Sequence, residues 1–307
     1  MPPELPAGRG HILPSGGATH LGIALPVLLL SLLLPWQEQW AYAVVLVVAL
    51  GIPHGALDIE IGRSLLRAGV GRAWFLIFAL PYLALVAAVL AAWRLAPETT
   101  LAAFLALSVW HFGCEETGST GLPALAVGGI PISVPVLLHP VPTAQVLAAF
   151  SGLPLDNPPP WLVCGSCLWL IPVGLWLART LVHGNLQGLV LPAATTVTFV
   201  VLPPLSAFTL YFVAVHAPAH TAALIRHPTR APRLCDAAVA WRIALPVTAL
   251  TVLMGAALWS LTSGETAVRL VRTTFQLLAA LTLPHILLDG WLNWRDAACT
   301  GASDPQA

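Results

Sequence analysis

The feature that most limits how this chain can fold is a series of apolar runs. They lie at roughly 20–35, 40–57, 73–93, 100–113, 122–139, 161–178, 186–202, 205–225, 243–261 and 270–290, separated by short polar stretches. A helix needs about 20 mostly apolar residues to cross the hydrocarbon core of a bilayer, and only a helix or a closed barrel satisfies its backbone there. Hydrophobic residues make up 58% of the chain and charged residues 8%, too few charges to clothe a water-facing surface. The expected fold is therefore all-α, a polytopic transmembrane bundle of eight to ten helices. The range allows for the short fourth run, for a first run lying partly in the interface, and for a break at Pro203-Pro204.

The domain organisation follows: a polar tail at 1–19, a single transmembrane domain at 20–295 and a C-terminal tail at 296–307. The run from Leu21 to Leu34, with Ala41-Tyr42-Ala43 after it, resembles a signal peptide. Its polar lead is long and carries only Arg9, so it reads as the first membrane segment. The net charge is zero and no basic cluster exists, which excludes nucleic acid as a partner. Cys164 and Cys167 form a C-x-x-C inside an apolar run with no second pair, so they read as helix packing.

Arginines orient the bundle, because short cytoplasmic loops are enriched in them. One loop holds Arg63, Arg67 and Arg72, another Arg226, Arg230, Arg233 and Arg242. With both inside, the two termini are cytoplasmic and the Pro-rich stretch 151–160 is external. His54, His111, His216, His220 and His285 then fall at one depth, in the cytoplasmic halves of four helices. His11, His20, His139, His183 and His227 fall elsewhere. A single histidine within a span is satisfied by bonding a neighbouring carbonyl; five at one level point to a functional site.

His216 and His220 are about 40° apart on a helical wheel and can hold one ion, with Pro218 loosening the helix between them. IPHGALD at 52–58 and LPHILLD at 283–289 share the form P-H-x-x-L-D. At helical spacing, Asp58 would accept the ring N–H of His54 and Asp289 that of His285, fixing each tautomer. In WHFGCEET, 110–117, Gly113 is expected to stop the helix and leave Glu115 and Glu116 at a solvated end. Tyr211 reads as packing or an interface anchor that could bring its hydroxyl near the site. Neutral imidazole suits zinc, copper, iron and nickel. Four histidines close a zinc site but leave iron(II) open positions. On this ground alone oxygenase chemistry, electron transfer and metal transport all remain open.

Taken in order, GIPHGALD (51–58), WHFG (110–113), YFVAVHAPAH (211–220) and LPHILLD (283–289) resemble the Brp/Blh family of bacterial and archaeal membrane proteins. The resemblance covers about residues 40 to 295 and rests on these four patches, PHGALD being the most specific. It implies dioxygen-dependent cleavage of β-carotene at its central 15,15′ double bond to two retinal molecules, with Fe(2+) held by histidines. It places the metal ligands on His54, His111, His216 and His220, and the further catalytic roles on Asp58 and His285, the latter beside the ligands or along the substrate channel. Carotenoid, dioxygen and lipid bilayer are the implied partners, an opsin that takes up retinal is the implied product acceptor, and a prokaryotic inner membrane is the implied location.

Three positions depart from the family pattern: Ile59 where a second histidine is frequent, Ala219 where an arginine commonly precedes the last histidine of the pair, and Cys114 where an acid usually follows HFG. None removes a ligand; they bear on substrate and cleavage position. The competing readings are a transporter that passes protons or metal along the same histidines, a membrane di-iron hydroxylase, for which one H-x3-H pair is too few, and a haem cytochrome.

Overall fold

The structure is a computed structural model that describes residues 17–34 and 38–301. The tails expected at 1–19 and 296–307 thus lie partly outside the described residues, as does Arg9. Fifteen α-helical segments follow one another: α1 Gly17–Leu33, α2 Gln39–Leu46, α3 Ile52–Gly55, α4 Asp58–Val70, α5 Trp74–Leu95, α6 Pro97–Thr117, α7 Leu122–Gly128, α8 Ile130–Leu138, α9 Pro140–Ser151, α10 Pro160–Val182, α11 Val190–Val201, α12 Pro204–Tyr211, α13 Ala217–Ile225, α14 Ala237–Ser260 and α15 Thr266–Gly301. No strand occurs among the described residues.

Five helical stretches are long and apolar enough to cross a membrane; the one at 39–95 contains α2 to α5 and turns back at Gly71, whose φ is 59°, so that α4 and α5 pack against each other. Outward-facing Leu, Val and Ile side chains on α5, α10 and α14 remain exposed, as expected of helices whose outer faces meet lipid.

Two breaks matter for the site. Residues Val47–Gly51 and Phe212–His216 form π-helical turns, each continuing into a short α-helix with proline in its first turn, Pro53 in one and Pro218 in the other. Proline offers no N–H to the ladder, so regular i to i−4 bonding cannot pass through it, and a π turn absorbs the mismatch. The two π turns pack on each other at Gly51, where a Cβ would run into the ring of Phe212.

Helix α6 does not stop at Gly113. It runs to Thr117 and ends at Gly118, whose φ of 63° is the left-handed conformation glycine favours. Gly113 serves close packing instead: a Cβ there would fall on the backbone of Ala124 in α7, and one on Gly128 would fall on Val109 and Gly113. Helix α9, Pro140–Ser151, was not expected between the run at 122–139 and the external loop; its mixed polarity hid it.

The two arginine-bearing segments meet. Glu60, almost fully buried at the start of α4, is paired with Arg63 at 2.8 Å and with Arg233 at 3.6 Å. Both segments therefore lie at one end of the bundle, which the basic-loop argument requires.

Candidate metal centre

The breaks at Pro53 and Pro218 deliver histidines to the same point. His54 follows Pro53 in α3, His216 closes the second π turn, His220 lies one turn further in α13, His111 lies in the last third of α6, and His285 follows Pro284 in α15. All five are buried. The ring of His54 lies 5.4 Å from those of His216 and His220 and 5.6 Å from that of His285. His111 lies 5.2 Å from His216 and 5.5 Å from His285, and His220 lies 5.0 Å from His285. Imidazoles that share an ion at about 2.1 Å in tetrahedral directions have ring centres roughly 5 Å apart, so this spacing fits a metal centre. The tightest set of donor atoms is smaller and includes a carboxylate: His220, His285 and Asp289 each offer an atom within 4.8 Å of the others.

The orientation of the rings carries more information than their spacing. Nδ1 of His54 bonds the carbonyl of Gly51, and Nδ1 of His220 lies 3.1 Å from Glu115. Nδ1 of His216 lies 3.6 Å from Glu116, and that of His285 lies 2.9 Å from Asp58. On the other side, the Nε2 atoms of His216, His220 and His285 are buried without a hydrogen-bond partner, as is Oδ2 of Asp289. Leaving such atoms unpaired costs about 1–3 kcal/mol each. Three imidazoles that direct one nitrogen at an acceptor and leave the other without a hydrogen bond, together with a carboxylate oxygen likewise unbonded and 3.4 Å from Nε2 of His285, form a donor set suited to a transition-metal ion.

Three expectations about the carboxylates are corrected. Asp58 does not support His54. The helix breaks at Ala56-Leu57, so Asp58 opens α4 instead of lying one turn along from His54, and its carboxylate turns to His285 and to the hydroxyl of Tyr82 at 2.9 Å. Glu115 and Glu116 are not a solvated helix end. Because α6 continues past Gly113, the two acids are carried into the bundle, where Glu115 meets His220 and Glu116 meets His216 and accepts a hydrogen bond from Tyr211 at 3.2 Å. Asp289, one turn after His285, faces that ring at 3.4 Å on its Nε2 side, opposite the nitrogen it was expected to hold. Of the remaining histidines, His139 bonds the carbonyl of Val200 between helices α8, α9 and α11, away from the cluster.

The family model for beta-carotene 15,15′-dioxygenase matches residues 45–293, which include every residue of this cluster. The chain belongs to that family. Among curated proteins it is 28% identical to a probable beta-carotene 15,15′-dioxygenase Blh of Halobacterium salinarum, over 83% of this chain and 84% of that protein. It is 29% identical to a beta-carotene 15,15′-dioxygenase of an uncultured marine bacterium, over 80% of this chain and 91% of that protein. No solved structure matches. Membership of the dioxygenase family makes the chain a carotenoid-cleaving enzyme and bears out the resemblance read from the four patches.

The dioxygenase departs from the expected pattern at Cys114, and the structure shows what that insertion does. Cys114 is a half-buried free thiol, and the acids that follow it, one and two residues later, remain within reach of the histidines. Cys164 and Cys167 are exposed on α10 and do not join the site. The signal that would have found Glu115 and Glu116 was available in the sequence. Gly113 is followed by no further helix breaker until Gly118, so the helix could continue.

Proposed function

We propose that this protein is an iron(II)-dependent dioxygenase that cleaves β-carotene at its central 15,15′ double bond to two molecules of retinal. The metal would be held by His54, His111, His216 and His220, with His285 on the same ion. The observation that carries the reading is the matched polarity of the rings: Nδ1 atoms secured by Glu115, Glu116 and Asp58, and Nε2 atoms of His216, His220 and His285 left bare at the centre. Iron(II) at such a site would supply activation of dioxygen. The overall reaction breaks one C=C bond and one O–O bond and forms two C=O bonds, so it needs no external reductant and no acid or base from the protein.

What this chain does is orient and accommodate. The three carboxylates keep each paired imidazole in the tautomer that bares Nε2, and they raise its basicity as a ligand. Two cavities reach the cluster, and both are lined mostly by apolar side chains, which suits a hydrocarbon polyene.

The same reading places the protein in a prokaryotic cell membrane as one domain at 20–295, with eight to ten spans once the bent segments are counted. Its product would pass to an opsin. The test is expression in cells that make β-carotene. Loss of orange colour with retinal formed is expected, and protein purified without oxygen should carry about one iron per chain. No bound iron, and no activity on adding it, would sink the proposal.

A further inference from the structure

Two separate chambers meet at the histidine cluster, and they differ in one respect that assigns them roles. Both touch His54, Leu278, Thr282 and His285, the last three on one face of α15. The first chamber, about 120 Å³, is walled by α6, α8, α9 and α10, with Val136, Leu147, Phe150 and Leu162 among its lining, and no exposed residue lines it. The second, about 320 Å³, lies between α5 and α14 above α15, and its lining includes Phe75, Leu83 and Leu250, which are 46%, 42% and 50% exposed. The first chamber is the narrower and has only buried or half-buried walls; the second is wider and reaches exposed side chains on the flank of the bundle.

We propose that a linear polyene enters end-on from the bilayer between α5 and α14, passes His54 and His285, and seats its leading end in the narrower, buried-walled chamber, whose depth selects the double bond that is cut. The inference rests on the carotenoid-cleaving reading. A rigid, apolar chain cannot fold back, so if its leading end is stopped, the bond that lies at the cluster is set by the distance to the stop. The trailing end lies in the wider chamber, which reaches the exposed flank, and imposes no register. Val146 on α9 and Leu162 on α10 therefore control cleavage position, and Ala79 on α5 controls only entry.

The experiment uses the full-length enzyme in detergent with β-carotene, with aldehyde lengths resolved chromatographically and iron measured for each variant. Val146→Trp should retain iron, lose at least 10-fold in retinal, and release aldehydes of unequal length. Leu162→Ala should deepen the seat and also yield unequal aldehydes; it carries the same test if the tryptophan variant does not accumulate. Ala79→Trp should lower kcat/KM at least 10-fold with retinal still the sole product. The proposal is overturned if the iron-loaded α9 and α10 variants give retinal alone, if Ala79→Trp changes product length, or if it leaves kcat/KM unchanged. A wild-type enzyme that forms no retinal fails the function, whatever the variants do.

Discussion

Nδ1 of His285 donates to the carboxylate of Asp58 at 2.9 Å across 227 residues of chain, and the hydroxyl of Tyr82 donates to the same carboxylate. The pair ties α15 to the start of α4 and turns Nε2 of His285 toward the other histidines. Asp58→Asn keeps the size of the side chain and one acceptor but loses the charge that favours the ring N–H. Loss of such a partner costs about 10- to 100-fold in metal affinity or activity. In a double-mutant cycle read in the thermal stability of the metal-free protein, Asp58→Asn should couple with His285→Ala and act independently of His54→Ala; coupling with His54 instead would restore the local helical pairing that the break at Ala56-Leu57 excludes.

Glu115 and Glu116 should matter as much as Asp58. Each faces the Nδ1 atom of a different histidine, so Glu115→Gln and Glu116→Gln should each weaken iron binding by about 10- to 100-fold, and the double variant by more. Tyr211→Phe removes the hydrogen bond to Glu116 and should produce a smaller loss in the same direction. Iron titration by a competing chelator reads all four; wild-type affinity in both glutamine variants would return the acids to a structural role.

Alanine at His54, His111, His216, His220 or His285 should abolish iron binding or turnover. His139→Ala should do neither, since that ring bonds the carbonyl of Val200 outside the cluster. Equal damage from His139→Ala and His216→Ala would contradict a single centre.

Gly113→Ala tests the packing that aims His111. The added methyl would strike the backbone of Ala124, which cannot move aside as a flexible side chain would. Overpacking of this kind costs about 1–3 kcal/mol. We expect a lower Tm and reduced iron content, because α6 must shift where it carries His111 two residues earlier. Gly165→Ala, with open space around it, should leave both unchanged.

The sequence by itself determined the solvent, the helical class and which five histidines the fold brings together. Each rests on a local property: apolar runs partition into lipid wherever they occur, and a histidine inside such a run is costly enough to be noticed. Four short patches were also enough to reveal the family. Which carboxylate serves which histidine was decided only by the tertiary structure. Successive helical residues differ in direction by about 100°, so a single break reassigns every partner beyond it. The break at Ala56-Leu57 moved Asp58 from His54 to His285, and the uninterrupted turn past Gly113 carried Glu115 and Glu116 from the expected water-facing end to His220 and His216. The two chambers were equally beyond reach of the sequence, since their walls come from helices whose relative rotation is set by long-range packing and not by any one segment's composition.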